Sequence, residues 1–366
     1  MPIRVLLVED SPIALTILKR ILATSPEIEI VGTAQTGIEA LALVPNIKPD
    51  VICTDLHMPQ MNGLEFTSQI MAHHPLPILV VSASVQEDDS HHIFQLLEAG
   101  AVDILPKPTA GFDAENLLLQ QSLINKVRVI SGVKVFKRKP KQHPLSTARQ
   151  QFRQRGDSVL PPLGAALPLT MNCKPKILAV GTSTGGPLAL QEIFAELPKD
   201  FPLPIVCVQH ISLGFLQGLI DWLADNCALS IQIAPAGERP QPGTIYFPPE
   251  RQHLTFDRDG RFVHSQDPPV DGHCPSVTAT FTSIAQYYGR RTLGILLTGM
   301  GRDGADGMKA IADAGGLTIA QDEATSVVFG MPQEAIALGA AHRVLPIQAI
   351  APAILKLVQS HPLGKK

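Results

Sequence analysis

The sequence predicts an α/β protein made of two doubly wound parallel-sheet domains joined by a flexible linker. Short Val/Ile/Leu runs alternate with helical periodicity over residues 1–125 and again over 175–362. This alternation is typical of parallel sheets covered by helices on both faces. The stretch between, 126–174, contains a basic run and then mostly Gln, Arg, Pro and Ser. Such a composition indicates a linker with little fixed structure.

Composition excludes several classes of protein. The 366 residues carry 45% hydrophobic and 17% charged side chains and a net charge of −3. No basic field is available to attract nucleic acid. The five cysteines form no CxxC pair, so neither a disulfide framework nor a zinc site is expected. No signal peptide and no apolar run of about 18 residues is present. A cytoplasmic protein without membrane insertion is therefore expected, and a monomer is the expected oligomeric state.

The first domain should contain five strands, each followed by a helix. The predicted strands are Ile3–Val8, Ile30–Ala34, Val51–Asp55, Ile78–Ser82 and Val102–Leu105. Ser11 followed by Pro12 is a good helix start, because a capping hydroxyl precedes proline at the first helical position. Five β-α repeats in this length indicate an open doubly wound sheet.

Polar residues gather at the predicted carboxyl ends of these strands. Glu9 and Asp10 follow the first strand, Asp55 ends the third, Ser82 ends the fourth and Lys107 follows the fifth. Open α/β sheets bind ligands at this edge, and crowded carboxylates are ligands that Mg²⁺ prefers. A lysine and a hydroxyl beside them would hold phosphoryl oxygens. The pattern predicts phosphoryl transfer to Asp55, although each acid taken alone would also serve as a helix cap.

A second α/β pattern begins near residue 175. The predicted strands are Ile177–Val180, Ile205–Val208 and Leu293–Thr298, and the predicted helices are Gly186–Leu197, Phe215–Ala224, Val277–Tyr288, Ala305–Ala314 and Gln348–Ser360. Residues 230–265 are shorter and rich in turn residues, which predicts a small antiparallel excursion with a hairpin.

A glycine-rich turn follows the first strand of this domain. Val180–Gly186 contains G-x-S-x-G around Ser183. Small neighbours permit a sharp strand-to-helix turn that presents a nucleophilic hydroxyl. The free N–H groups of the helix start would also cradle an anion, with Ser183 as a cap. The motif alone leaves the nucleophile and the anion cradle equally supported.

A serine nucleophile needs a base and an orienting acid. His210 ends the next strand, and Asp303 follows a later buried strand. The loop that carries Asp303 also matches G-x-G-x-x-G over Gly299–Gly304, with Asp322 about 20 residues on, as in dinucleotide-binding folds. An α/β-hydrolase would instead require a late histidine, for which His342 is available.

Residues 3–125 resemble the response-regulator receiver family, which has a flavodoxin-like fold. The matching segments are Val8–Ser11, Asp50–Leu64 and Lys107–Pro108. The resemblance implies that Asp55 accepts phosphate, and that Ser82 and Lys107 sense the phosphorylated state. The implied Mg²⁺ ligands are Glu9, Asp10, Asp55 and the backbone carbonyl of His57.

Residues 176–360 resemble the catalytic domain of chemotaxis protein-glutamate methylesterases of the CheB type. The matching segments are Gly181–Gly186, Gln209–His210, His273–Val277, Leu297–Gly304, Ala320–Ala324 and Val328–Pro332. The resemblance implies Ser183 as nucleophile, His210 as general acid/base and Asp303 as orienting acid. It further implies an oxyanion donor in the Met300 N–H and a supporting role for Thr184. Thr278 stands where relatives often carry Asp, and the linker is longer than usual.

The two resemblances together imply a phosphorylation-regulated esterase. The expected reaction is hydrolysis of glutamate γ-methyl esters on methyl-accepting chemoreceptors, with deamidation of receptor glutamines by the same apparatus. A chemotaxis sensor histidine kinase would supply the phosphoryl group, and Mg²⁺ would serve the receiver only, leaving the esterase without a cofactor. The competing hypotheses are a regulator that acts by binding alone and a nicotinamide-dependent enzyme.

Overall fold

The computed structural model describes residues 1–82, 87–109, 111, 114–137 and 174–359. They form two parallel sheets covered by helices and one antiparallel hairpin, which confirms the predicted fold class. Most of the predicted linker, 138–173, lies outside the described residues, as does 360–366. Within the described ranges, no helix has both the length and the apolar character needed to cross a bilayer.

The first sheet has five strands, all paired in parallel. They are β1 (Ile3–Val8), β2 (Ile28–Ala34), β3 (Val51–Thr54), β4 (Ile78–Ser82) and β5 (Asp103–Pro106). The helices are α1 (Pro12–Ala23), α2 (Gly37–Ile47), α3 (Gly63–His73), α4 (Glu87–Ala99) and α5 (Ala114–Ile130). The strand order β2-β1-β3-β4-β5 is the flavodoxin-like order, whose ligands bind at the carboxyl edge where the order reverses.

The ends of these helices follow from their sequences. The hydroxyl of Ser11 accepts a hydrogen bond of 3.3 Å from the N–H of Ala14 at the start of α1, as the capping pattern predicts. Leu18, Ile21 and Leu22 then lie on the buried face. At the other end of this unit, α5 continues to Ile130, beyond residue 125 where the sequence places the start of the linker.

The second sheet has seven parallel strands. They are β6 (Ile177–Thr182), β7 (Ile205–Gln209), β8 (Ser230–Ile233), β9 (Thr244–Phe247), β12 (Thr292–Leu296), β13 (Leu317–Gln321) and β14 (Arg343–Leu345). The helices are α6 (Gly186–Phe194), α7 (Leu216–Ala224), α8 (Val277–Tyr288), α9 (Ala305–Asp313), α10 (Met331–Ala337) and α11 (Ile347–Gln359). The order is β14-β13-β12-β6-β7-β9-β8, so the switch point lies beside the central strand β6.

The prediction of an antiparallel excursion over 230–265 is half wrong. Only β10 (His253–Phe256) and β11 (Phe262–Ser265) pair in antiparallel fashion, around the predicted turn at 257–260. Strands β8 and β9 pair in parallel and extend the main sheet. Short strands bounded by turn residues look alike in either orientation, since the direction is decided by the connections and not by the strand itself.

The two α/β units pack against each other through α4 on one side and α6 and α7 on the other. The rings of Phe94 and Trp222 stack with centroids 5.4 Å apart. The carboxylate of Glu98 accepts hydrogen bonds from the side chains of Trp222 at 3.2 Å and Gln191 at 3.1 Å. Buried apolar residues of both units therefore form one continuous cluster across this junction.

Candidate active site

The predicted nucleophile, base and acid follow three neighbouring strands of the second sheet. Ser183 comes directly after β6, His210 directly after β7, and Asp303 lies in the loop between β12 and α9. Because β7 and β12 both pair with β6, all three residues reach the carboxyl edge at the switch point. This is the place where open α/β sheets bind ligands.

The turn around Ser183 is held by backbone hydrogen bonds. The N–H of Ser183 donates to the carbonyl of Thr298 at 3.0 Å, and its carbonyl accepts from the N–H of Gly186 at 2.8 Å. Gly185 caps α6 with a φ of 79°, and a Cβ there would lie 2.6 Å from the side chain of Val327. Only glycine fits this left-handed position, so the sharp turn that presents the serine depends on it.

His210 is oriented by Asp303. Its Nε2 lies 2.8 Å from Oδ2 of Asp303, and its buried Nδ1 has no hydrogen-bond partner within the described structure. The carboxylate only accepts, so Nε2 carries the proton and Nδ1 keeps a lone pair that can accept one. Burial lowers the pKa of His210 more than the bond to Asp303 raises it, and His273 and Lys126 lower it further. The imidazole is thus neutral and able to accept a proton near pH 7.

Asp303 lies at the N-terminus of α8 and has four donors. Oδ1 accepts from the Ser276 hydroxyl at 2.8 Å and the Thr278 N–H at 2.9 Å, and Oδ2 accepts from the Val277 N–H and His210, both at 2.8 Å. Burial alone would raise its pKa, but these donors together hold the pKa of Asp303 well below its usual value. The acid therefore stays ionised and fixed in place.

Two backbone N–H groups in the loops around Ser183 make no hydrogen bond in the described part of the chain. Among the described residues, the N–H groups of Thr184 and Met300 donate to no acceptor. A Cβ at Gly299 would lie 2.8 Å from Cβ of Ser183, which shows how closely the loop carrying Met300 approaches the serine. Unpaired N–H groups in such a position stabilise the tetrahedral intermediates of acyl transfer.

Sequence reasoning missed two residues that tie these loops together. The side-chain amide of Gln209 donates to the carbonyls of Ser183 and His210, both at 2.8 Å. The hydroxyl of Thr298 bonds the carbonyl of Thr184 at 2.9 Å. Gln209 follows one predicted strand and Thr298 ends another. That their side chains lie along the carboxyl edge and connect adjacent loops becomes visible only once the structure shows which strands pair.

Two alternatives are not favoured by the geometry. His342 immediately precedes β14, so it lies at the opposite edge of the sheet from Ser183, and its Nδ1 is engaged with Thr318. Asp322 accepts hydrogen bonds from the N–H and hydroxyl of Thr325 and stabilises a turn. A late catalytic histidine and a ribose-binding acid are therefore not supported.

The first sheet forms a second polar site around Asp55. Lys107 Nζ lies 2.6 Å from the carboxylate of Asp55 and 2.9 Å from that of Glu9. Burial raises the pKa of Glu9 more than Lys107 lowers it, and the nearby charge of Asp55 raises it further. The pKa of Lys107 is raised, because its bonds to the two acids outweigh the effect of burial.

The carboxylate cluster fits a divalent cation. Oxygen atoms of Glu9, Asp10 and Asp55 lie within 4.8 Å of one another, and only Asp10 is exposed. Buried acids that repel each other are relieved by a hard cation. His57 follows in the loop after β3 with an exposed side chain, and Ser82 ends β4 next to β5, where its carbonyl accepts from the N–H of Lys107.

The residue after Ser183 contacts the first unit across the junction between the sheets. The hydroxyl of Thr184 donates to Asp103 on β5 at 2.8 Å, and Lys126 on α5 forms an ion pair with the same carboxylate. A cavity of about 590 Å³ adjoins this contact. It is lined by residues of both units, both apolar, such as Leu97, Val102, Phe136, Leu188, Val327 and Phe329, and polar, such as Lys134, Glu323, Thr325 and Ser326.

Comparisons with known proteins match both units of the chain. Residues 178–354 match the family described as CheB methylesterase, and residues 5–119 match the response regulator receiver domain. A protein-glutamate methylesterase/protein-glutamine glutaminase 4 of Geobacter metallireducens is 41% identical and covers 97% of this chain and 99% of its own. A homologue from Nitrosospira multiformis is 40% identical, with 97% of each chain covered. The solved methylesterase catalytic domain of Thermotoga maritima CheB is 38% identical and covers 51% of this chain and 100% of its own, with a TM-score of 0.49.

Proposed function

Because this chain belongs to the family of protein-glutamate methylesterases/protein-glutamine glutaminases, we propose that it is a phosphorylation-regulated serine esterase acting on chemoreceptors. It hydrolyses glutamate γ-methyl esters with release of methanol, and deamidates glutamine side chains with release of ammonia. The observation that carries the proposal is the bond between His210 and Asp303, which leaves one buried nitrogen of His210 free as the base.

Our proposed mechanism uses three side chains and two backbone groups. His210 Nδ1 takes the proton of Ser183 as its oxygen attacks the ester carbonyl, and Asp303 stabilises the resulting imidazolium. The N–H groups of Thr184 and Met300 receive the oxyanion. His210 returns the proton to the leaving methoxide, and water then hydrolyses the acyl-enzyme by the reverse sequence. The hydroxyl of Ser183 makes no hydrogen bond to His210 in this structure, and such bonds often tighten only when substrate binds.

We propose that Asp55 is the phosphoacceptor and that a chemotaxis sensor histidine kinase supplies the phosphoryl group. Mg²⁺ would be held by Glu9, Asp10, Asp55 and the backbone carbonyl of His57, and would supply neutralising charge for the transferred phosphoryl group. Lys107, which bonds Asp55 in this structure, would instead bond the phosphoryl oxygens. Together with Ser82 it would sense the phosphorylated state.

Regulation is proposed to pass along β5. Lys107 follows this strand and bonds Asp55, while Asp103 begins it and accepts the hydroxyl of Thr184, the residue after the nucleophile. With this contact intact, the receiver lies against the esterase loop and hinders a receptor helix from reaching Ser183. Phosphate on Asp55 competes for Lys107, shifts β5 and weakens the contact.

A methanol-release assay on methylated receptor membranes tests the proposal. The wild-type chain should release methanol faster when acetyl phosphate is added, and Ser183→Ala should release none, while Ser212→Ala in the neighbouring loop serves as the matched control. Asp103→Asn should raise the rate without a phosphodonor. Methanol release by Ser183→Ala would refute the assignment of Ser183 as the nucleophile. A wild-type rate of methanol release that does not change when acetyl phosphate is added would refute the regulation.

The proposal includes a cytoplasmic, monomeric enzyme. A kinase that draws phosphate from ATP is found in that compartment, and the active site described above uses residues of a single chain. Light scattering coupled to size-exclusion chromatography, with and without acetyl phosphate, measures the oligomeric state directly.

A further inference from the structure

A second imidazole packs directly on the catalytic one. The ring of His273 stacks on the ring of His210 with centroids 3.8 Å apart and an interplanar angle of 22°. His273 is half-buried, and one of its ring nitrogens lies within 4.8 Å of a ring nitrogen of His210 and of a carboxylate oxygen of Asp303. No step of the mechanism above uses this ring, although it contacts the base.

The chain holds His273 in place with a tight turn. Val270 and His273 form an antiparallel bridge, and the two residues between them, Asp271 and Gly272, have φ values of 51° and 79°. Two left-handed residues in a row form the tight hairpin turn that suits such a bridge. Nδ1 of His273 also lies 2.9 Å from the carbonyl of Asp271. A carbonyl only accepts, so Nδ1 carries a proton and the ring cannot rotate freely.

His210 needs such support, because it is anchored at one nitrogen only. Its Nε2 bonds Asp303, while Nδ1 is buried without a partner among the described residues. A ring with a single hydrogen bond can still swing about that bond. A flat ring packed at van der Waals distance on one face removes this freedom, and preorganised groups lose less entropy on reaching the transition state.

We propose that His273 is a positioning residue for the esterase reaction, whose ring keeps the imidazole of His210 oriented with Nε2 on Asp303 and Nδ1 available to Ser183. This rests on the proposed function. It adds a residue outside the Ser183, His210 and Asp303 set that acts only through His210.

The stack also has an electrostatic consequence. The charged or titratable groups facing His210 are Asp303, which favours its protonated form, and His273 and Lys126, which disfavour it. Burial, to which the ring of His273 contributes, lowers the pKa of His210 most. Removing the His273 ring therefore raises the pKa of His210, and a larger fraction of the base becomes protonated and inactive below neutral pH.

Three variants of the full-length chain separate orientation from charge. His273→Phe keeps a flat ring on His210 without a titratable group, and His273→Ala removes the ring. We expect kcat to fall about 10- to 100-fold in His273→Ala with KM nearly unchanged, which lies below the range for loss of a general base itself. In His273→Phe, kcat should stay within about 3-fold at high pH. His264→Phe, in the β10–β11 hairpin, is the matched control.

The pH profile of kcat/KM provides the readout that a merely structural role would not move. The acid limb should shift to higher pH in His273→Phe and further in His273→Ala. In the first variant His210 loses only the neighbouring charge, and in the second it also becomes less buried. The control should keep the wild-type limb. A His273→Ala enzyme with wild-type kcat and an unmoved limb would overturn the proposal, as would equal losses in both variants at every pH.

An NMR titration keeps this result separate from the substrate question. The imidazole resonances of His210 can be followed in the full-length chain with and without His273→Phe, in the absence of any receptor. The same titration is run on His273→Ala, which also removes the ring. A His210 pKa that is raised in His273→Phe and raised further in His273→Ala supports the stacking role even if no methanol is released from the receptors tested. An unchanged His210 pKa in both variants contradicts the stacking role, whatever the enzyme hydrolyses.

Discussion

Asp55 and Asp303 occupy equivalent places in the two sheets but have opposite surroundings. Both are buried, 5% and 1% exposed, and both follow a parallel strand at the carboxyl edge. Asp55 accepts from Lys107 at 2.6 Å and from the N–H of Leu56 at 2.7 Å, and it faces the carboxylate of Glu9. Asp303 has four donors and no acid among the groups that shift its pKa.

The difference fits the two roles proposed for these carboxylates. A carboxylate that is to form a bond must keep oxygen lone pairs accessible, and the crowding around Asp55 leaves room for a cation and a phosphoryl group to replace an existing contact. A carboxylate that is to orient a base must not move, so every oxygen lone pair of Asp303 is engaged. Hydrogen-bond saturation therefore distinguishes the proposed orienting acid, Asp303, from the proposed phosphoacceptor, Asp55.

The largest effect should come from making the same substitution at both acids. In Asp303→Asn the amide cannot hold His210 in the required tautomer, and kcat for methanol release should fall on the order of 10⁴-fold. In Asp55→Asn the unphosphorylated rate should be unchanged, with loss of stimulation by acetyl phosphate. Comparable losses of the unphosphorylated rate in both variants would contradict the division of roles.

A smaller effect should follow from removing one donor to Asp303. Ser276→Ala leaves Oδ1 of Asp303 with the Thr278 N–H as its remaining donor and also removes the side-chain cap of α8. A hydrogen bond to a charged group contributes about 1.5–3 kcal/mol, so the free energy of unfolding at pH 7 should fall by about that amount and kcat by about 10-fold. Ser276→Thr, which keeps the hydroxyl, is the matched control.

The pH dependence of this loss follows from the lowered pKa of Asp303. Stability contributed by a depressed carboxyl pKa is present above the pKa of the unfolded state, 3.8, and disappears as the pH falls through the pKa of the folded state. Ser276→Ala weakens that contribution, so the stability difference from wild type should be largest near neutrality and shrink in acid. A series of urea unfolding curves from pH 7 down to about pH 2 measures this difference, and a difference that grows in acid would contradict the role of Ser276.

Periodicity predicted most of the fold, because buried parallel strands appear as continuous apolar runs. All three strands predicted around the catalytic residues are present, and strand ends marked Ser183, His210 and Asp303 as candidates. Periodicity failed at β8 and β9, whose direction depends on connections that short turn-rich segments do not reveal.

The contacts that complete the site could not be predicted, because they join distant parts of the chain. Ser276 lies 27 residues from Asp303, and Asp103 lies 81 residues from Thr184. Each contact exists only because two elements pack side by side, and neither residue stands out in its own segment. The stack of His273 on His210 has the same origin, since a tight turn far along the chain brings the second ring to the first.

The smallest expected effect concerns the crowded carboxylates at Asp55. It is the difference in unfolding temperature between Glu9→Gln and wild type, which should change sign when Mg²⁺ is added. Glu9→Gln removes a buried charge that repels Asp55, while Lys107 keeps its bond to Asp55. In EDTA the variant should unfold about 1–3 °C above wild type, equivalent to less than about 1 kcal/mol for a unit of this size. With MgCl₂ the wild type should gain stability and the variant little, because a ligand is lost. Asp10→Asn, at the exposed acid, should lose the Mg²⁺ effect without gaining stability in EDTA, so equal stabilisation of all three proteins by Mg²⁺ would place the cation elsewhere.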